Sequence, residues 1–244
     1  MLIYIVVDFL LNTYMPRPRL YKINEEYFNT IDSHEKAYIL GFLYADGNVG
    51  TKNSCISIKL STVDVEVLEF IKREIEYTGP IRHNLISNRE YSTLAFNSSM
   101  MKQHLTSYGI VPNKTYESMV LPICPNEFLC SMLLGLFDGD GSIWRIKNEH
   151  GDVVEFAVNF SGNDSTLSEI RKILLNNDIS TGTVRYRYGQ NRRCSCSIDI
   201  KGSNNIAKLY SFLYSECKFN LSRKKLVFDE FNAHLLTITR NYCK

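Results

Sequence analysis

The sequence lacks a strong net charge. Its 28 Lys and Arg residues are nearly balanced by 26 Asp and Glu residues, which leaves a formal net charge of +2 at pH 7. Proteins that bind nucleic acid through their overall charge are much more basic than this. A surface that binds a polyanion must therefore be a local one.

The sequence also lacks long apolar runs and an organised set of cysteines. No apolar run reaches the roughly 20 residues of a membrane-spanning helix, so no membrane insertion is expected. The seven cysteines are odd in number and scattered. This argues against a disulfide framework and favours a reducing, intracellular compartment such as the cytoplasm, a nucleoid or an organelle matrix. Leu2–Leu11 is apolar but does not match a signal peptide, and it fits a strand or a leader upstream of a start at Met15.

What the sequence does contain is an internal repeat. Ala37–Gly47 and Ser131–Gly141 share apolar residues, a glycine, a small residue, an aspartate and a final glycine in one register. The elements after each copy follow the same order, namely two strands, an amphipathic helix, two strands and a helix. The predicted fold class is therefore α+β, with two pseudo-symmetric αββαββα halves. We expect a first half over residues 34–122, a second half over 123–244 and an N-terminal extension over 1–33.

Local signals mark the ends of the repeated helices. Ser61–Asp64 and Ser161–Asp164 have the Ser-x-x-Asp spacing of a capping box, so we expect these residues to cap the amphipathic helices. Gly47 and Gly141 follow the two apolar helices, where a left-handed glycine often ends a helix.

Small residues recur inside the two apolar helices. Gly41 and Ala45 in the first helix correspond to Gly135 and Gly139 in the second. Small residues four positions apart let two helix backbones approach closely. Because glycine inside a helix costs about 1 kcal/mol relative to alanine, its presence at the same register in both helices predicts that they contact each other.

Each apolar helix ends in an acid, Asp46 or Asp140. A carboxylate at the negative end of a helix is unfavourable unless a positive charge lies beside it. If the helices pack together, both carboxylates and the free carbonyl groups around them supply the oxygen ligands that Mg²⁺ and Ca²⁺ prefer. Two metal ions at such a site can activate water and stabilise the leaving oxygen during phosphodiester hydrolysis.

The repeated segments resemble the LAGLIDADG motif of homing endonucleases, in the single-chain form with two motifs. The matching residues are Ile39–Gly47 and Leu133–Gly141, and the resemblance extends roughly over residues 34–232. It implies a monomer in which two αββαββα halves pack through the motif helices, and in which two antiparallel sheets form a saddle over double-stranded DNA. Tyr44 departs from the pattern, because the second motif has Asp138 there, but that position is not a metal ligand in the family.

The resemblance also implies the roles of the site residues. Asp46 and Asp140 would be the catalytic acids, and they would bind two or more Mg²⁺ ions together with the backbone carbonyls of Ala45 and Gly139. Each half would cut one DNA strand. Both acids match the acids of the family's motif.

Basic residues in the predicted strands supply a candidate DNA surface. Val184–Tyr188 alternates so that Arg185 and Arg187 lie on one face, as reading of base edges in a groove requires. The alternation leaves open whether these arginines read guanine or hold phosphates. Further candidates in both halves are Arg192, Arg193, Lys201, Arg145, Lys52, Lys59, Arg82, His83 and Arg89.

Two lysines occupy corresponding places after the last helix of each half, Lys114 and Lys224. The resemblance implies a basic residue here that assists the attacking water or the phosphate. Arg223 and Lys225 are alternative registers for Lys224. The other interpretation of these lysines is a positive charge that stabilises a helix end.

The expected function is that of a site-specific, metal-dependent DNA endonuclease that makes a double-strand break at a long recognition site. The alternatives with the same fold are an RNA maturase that assists intron splicing, with intron RNA as its partner, and a DNA-binding protein that does not cleave. The presence of both acids, Asp46 and Asp140, favours the endonuclease.

Overall fold

The structure is a computed structural model that describes residues 19–112, 120–188 and 194–242. Its elements repeat in the predicted order, which confirms the α+β class and the two αββαββα halves. The first half contains α1 (His34–Asp46), β1 (Gly47–Val49), β2 (Cys55–Ser61), α2 (Val65–Glu74), β3 (Arg82–Ile86), β4 (Arg89–Asn97) and α3 (Ser99–Ser107). The second half contains α4 (Leu129–Asp140), β5 (Gly141–Lys147), β6 (Val153–Gly162), α5 (Asp164–Asn176), β7 (Arg185–Tyr188), β8 (Cys194–Lys201) and α6 (Ser203–Tyr214). A further helix, α7 (Ser222–Tyr242), follows α6 at the end of the second half and was not predicted by the repeat.

Each half contains one antiparallel sheet of four strands. The strand orders are β1-β2-β4-β3 and β5-β6-β8-β7, so the two sheets have the same topology. One face of each sheet is apolar and buried against the helices, as Ile56 and Ile58 of β2 illustrate. The opposite side is here called the outer face. Lys59, which follows Ile58, lies on the outer face because consecutive residues of a strand alternate.

The two halves share one core through α1 and α4. A Cβ placed on Gly41 would overlap the carbonyl oxygen of Met132, and a Cβ placed on Gly135 would overlap that of Tyr38. The backbones of the two helices therefore pass so closely that only glycine fits at these crossing points. This confirms the predicted contact, and it explains why α1 is buried on nearly all sides.

The prediction of left-handed glycines at the ends of α1 and α4 is wrong. Gly47 has φ −71° and Gly141 has φ −89°, so both are extended and lead directly into β1 and β5. Glycine is still required by space, because an added Cβ would lie 2.5 Å from Leu43 O or 2.6 Å from Phe137 O.

The capping-box prediction is also wrong. The side chain of Asn163 caps α5, where it accepts the N–H of Thr166 at 2.9 Å. Neither Ser61 nor Asp64 makes a capping hydrogen bond at the start of the helical segment that leads into α2. Asp64 instead binds a residue from the other half of the molecule, as described below.

The described part of the N-terminal extension packs onto the first half. Tyr27, Phe28 and Ile31 are buried in the common core, and the Asn24 N–H donates to Ile75 O at 2.9 Å. No helix within the described ranges has the length and apolar character that crossing a membrane requires.

Candidate active site and nucleic-acid interface

The last residues of the paired helices form the candidate active site. Asp46 and Asp140 are both exposed, although the helices that carry them are buried. A Cβ placed on Gly139 would overlap the side chain of Ala45 and lie 3.4 Å from Asp46 Oδ2. The carboxylate of Asp46 therefore reaches the residue next to Asp140, which confirms that the fold brings the two helix ends together.

An ion pair joins the start of α7 to the first half. Arg223, at the start of α7, donates from Nε to Asp64 Oδ1 at 2.7 Å and from Nη2 to Asp64 Oδ2 at 3.0 Å. These hydrogen bonds, together with the negative charges of Asp138 and Asp46, raise the pKa of the Arg223 guanidinium. Arg223 of the second half is thus held against the first half by Asp64, and of the three alternative registers it is the exposed one.

Lys224 lies beneath the second motif and is only 4% exposed. Its Nζ donates to the carbonyl oxygens of Phe137 and Asp138, each at 2.7 Å, and to that of Gly141 at 2.6 Å. Burial lowers the pKa of the Lys224 ammonium to about 8, although the negative charge of Asp138 opposes the shift. Its surroundings match the helix-end interpretation, because all three ammonium protons are used to bind carbonyls at the end of α4.

Asp138 connects three parts of the molecule. It is 2% exposed, and its Oδ2 accepts the Tyr38 hydroxyl and the Leu221 N–H, each at 2.8 Å. Burial raises the pKa of Asp138 to about 6. Asp138, which corresponds to Tyr44 of the first motif, thereby joins α1, α4 and the segment that leads into α7.

Replacing Lys224 with methionine is expected to lower the free energy of unfolding by about 2 kcal/mol, because three buried carbonyl groups lose a charged hydrogen-bond donor. Replacing the adjacent Lys225 with methionine is the matched control. Lys225 forms an exposed pair with Asp229, and its loss should cost less than about 1 kcal/mol. Urea unfolding monitored by circular dichroism measures both values, and equal losses would contradict the helix-end role.

The register of the sheets places most of the predicted basic residues on the outer faces. Lys59 and Arg82 flank Thr93 of β4 in one cross-strand row. Arg185 and Arg187 share the outer face of β7, because they are two residues apart in one strand. Arg89 and Lys201 lie on the outer faces of their strands by the same alternation. Lys52 is exposed in the turn between β1 and β2.

Two of the predicted basic residues lie on the wrong face. His83 is adjacent to Arg82 in β3 and therefore points away from the outer face, where its Nδ1 lies 2.9 Å from the Ser92 hydroxyl. Arg145 pairs across the strands with buried Phe156, and its Nε donates to Glu230 of α7 at 2.6 Å. Strand register separates both residues from the candidate interface, although their charge resembles that of its members.

Three predicted residues, Lys114, Arg192 and Arg193, lie outside the described residues. Among described residues that we did not predict, Asp199 and Trp144 lie on the outer face of the second sheet. The alternation of Ile198 and Ile200 with Asp199 was the signal that could have identified the acid. Trp144 follows Ile143 in the same alternating way.

The donor set at the helix ends fits a divalent cation. Asp46 and Asp140 offer carboxylate oxygens, and the carbonyls of Ala45 and Gly139 lie at the same helix ends, where hard cations prefer to bind. Over the described ranges, no group of three or more His, Cys, Asp or Glu side chains is placed to hold a metal ion. A metal ion at this site would therefore need backbone carbonyls or oxygens of a bound phosphate to complete its ligands.

Comparisons with known proteins identify the fold. No family model matches the sequence, and no curated protein matches it. The structure is similar to that of the LAGLIDADG homing endonuclease I-GzeII in complex with its DNA target (TM-score 0.59, 16% identity, 84% of this chain and 91% of that chain). It is similar to that of the meganuclease I-AabMI bound to uncleaved DNA (TM-score 0.57, 14% identity, 84% and 91%). Full-length DUF199/WhiA from Thermatoga maritima is similar as well (TM-score 0.50, 18% identity, 90% and 69%). The chain therefore has the LAGLIDADG fold, with both motif helices at its centre.

Proposed function

We propose that the protein is a site-specific DNA endonuclease that makes a double-strand break at a long recognition site by metal-dependent phosphodiester hydrolysis. The observation that carries this proposal is the close approach of the two helix ends that carry Asp46 and Asp140. Homing endonucleases with this fold, bound to their DNA targets, support the same function.

Double-stranded DNA is the proposed partner. The two outer faces carry basic side chains among polar ones, and the major groove of B-DNA is wide enough for a two-stranded β-ribbon. The edge strands β1 and β5 begin directly after Asp46 and Asp140. DNA that lies along both outer faces would therefore pass the two acids at the junction between the sheets.

Mg²⁺ is the proposed cofactor, in two or more ions. When bound, it would supply an activated water and a positive charge for the leaving oxygen. Asp46 and Asp140, with the carbonyls of Ala45 and Gly139, would hold it. The negative ends of α1 and α4 add to the attraction for a cation. Arg223, whose Nε and Nη2 bind Asp64, would contact a scissile phosphate through its remaining N–H groups.

The single chain carries both halves of the site, so we propose that a monomer is the active form. We also propose a reducing compartment, and the free thiols of the described cysteines support it; these are Cys55, Cys124, Cys130, Cys196 and Cys217.

A second candidate function is that of a nucleic-acid-binding protein that does not cleave, or of a maturase with intron RNA as its partner. The observation that supports this candidate is the structural similarity to DUF199/WhiA, whose name does not include a nuclease activity.

Cleavage of a randomised duplex library tests the proposal. The full chain is incubated with the library and Mg²⁺, and the cut ends are sequenced. We expect one family of related sites, cut on both strands, and no cutting when Mg²⁺ is replaced by EDTA. A library that is bound and enriched but never cut would contradict the endonuclease and support the second candidate.

A further inference from the structure

The two arginines of β7 lie on the same outer face but in different electrostatic surroundings. Arg185 forms an ion pair with Asp199 of β8, its diagonal neighbour on that face. The side chain of Asp199 is 9% exposed, whereas that of Arg185 is 55% exposed. Within the described ranges, no ion pair or hydrogen bond is found for the side chain of Arg187, which is also exposed. Asp199 thus anchors one arginine and not the other.

A carboxylate on a DNA-facing surface repels phosphates, so its presence beside Arg185 needs a reason. The Arg185–Asp199 pair is neutral overall, and it would release few counterions on binding DNA. Its contribution to nonspecific affinity is therefore small. A guanidinium that is held on one side by a buried acid keeps its remaining N–H groups in a fixed plane, and less side-chain freedom is lost when they bind.

We infer that Arg185, positioned by Asp199, reads a guanine base of the target, whereas Arg187 neutralises a phosphate. The planar guanidinium matches guanine O6 and N7, and this pairing is the commonest specific contact in the major groove. An unpaired arginine on the same strand is suited to a phosphate, which needs charge more than orientation. The inference rests on the proposed function, and it names the side chain that sets specificity at one base pair.

A charge-balanced double variant separates these roles. Arg185→Gln combined with Asp199→Asn removes one positive and one negative charge, so the net charge of the outer face is unchanged. Arg187→Gln, on the same strand and face, is the matched control. Each full-length protein is mixed with a randomised duplex library without divalent cations, and the bound fraction is sequenced. Affinity for one fixed duplex is measured by fluorescence anisotropy over a salt series.

We expect wild type to prefer guanine at one position of the site. In the double variant, the preference for guanine over the other bases should be about tenfold weaker. Its salt dependence should match that of wild type. Arg187→Gln should keep the guanine preference, while the slope of log Kobs against log salt becomes shallower by about 0.9. Arg185→Lys keeps the charge and the ion pair but not the planar donor group. It should also lose the preference, with an unchanged melting temperature, which excludes a folding defect.

Three results would overturn the inference. The double variant could keep the full preference of wild type, Arg187→Gln could abolish a base preference that the double variant keeps, or wild type could bind duplex DNA without any guanine preference. In each of these cases the proposed function stands. Failure of wild type to bind duplex DNA at all would instead overturn the proposed function, and the inference with it.

Discussion

Replacing Asp46 or Asp140 with asparagine is expected to lower the rate of DNA cleavage by at least about 10³-fold, which corresponds to a loss of roughly 4 kcal/mol of transition-state stabilisation. Asparagine has the shape of aspartate but lacks its charge and one of its acceptor oxygens. DNA binding should be unchanged or slightly tighter, because a negative charge near the phosphates is removed. Cleavage of a plasmid that carries a selected site gives the rate, and fluorescence anisotropy gives the affinity.

Glu149→Gln is the control for this experiment. Glu149 is exposed in the turn between β5 and β6, so the variant also removes one negative charge, but away from the helix ends. It should cleave at the wild-type rate. If either aspartate variant still cut both strands at that rate, the assignment of that acid would be wrong.

Gly135→Ala is expected to destabilise the protein by about 3 kcal/mol. Alanine favours an isolated helix by about 1 kcal/mol over glycine, but here its Cβ would overlap the carbonyl oxygen of Tyr38, which belongs to the backbone of α1. The two helices must separate to admit it, and the separation also displaces Asp140 from Asp46. We therefore expect a melting temperature lower by about 9 °C, from roughly 3 °C per kcal/mol for a chain of this length, together with slower cleavage.

Gly162→Ala is the matched control for the helix crossing. A Cβ on Gly162 would meet only Leu167, at an ordinary 3.8 Å, so its stability should stay within about 0.5 kcal/mol of wild type. Differential scanning calorimetry of both variants measures the difference. An equal effect of the two substitutions would show that α1 and α4 do not depend on close backbone contact.

The fold could be predicted largely from the sequence because its signals are local and occur twice. The repeat of Ala37–Gly47 in Ser131–Gly141 indicated the symmetry, and the small residues indicated a close helix crossing. The helix α7 was not predicted, because it has no counterpart in the repeat. The conformation of the helix ends was predicted incorrectly, because glycine is needed at Gly47 and Gly141 for space and not for a left-handed conformation.

The candidate site, too, could be predicted only in part from the sequence. The identity of the acids, Asp46 and Asp140, follows from the motif. The faces of His83 and Arg145 do not, because a count of basic residues in strands contains no register, and register alone decides which side of a sheet a residue occupies. The burial of Lys224 depended on α7, a helix that lies far along the chain from α4.

The sequence by itself determined the two-half architecture, the helix pair and the acids, because side-chain size and alternation act over a few residues and are repeated in both halves. Only the tertiary structure decided which basic residues share a face, that Lys224 binds the end of α4, and that Asp199 holds Arg185 but not Arg187. These pairings join residues from different elements. They depend on how strands align and helices pack, and no local pattern contains that information.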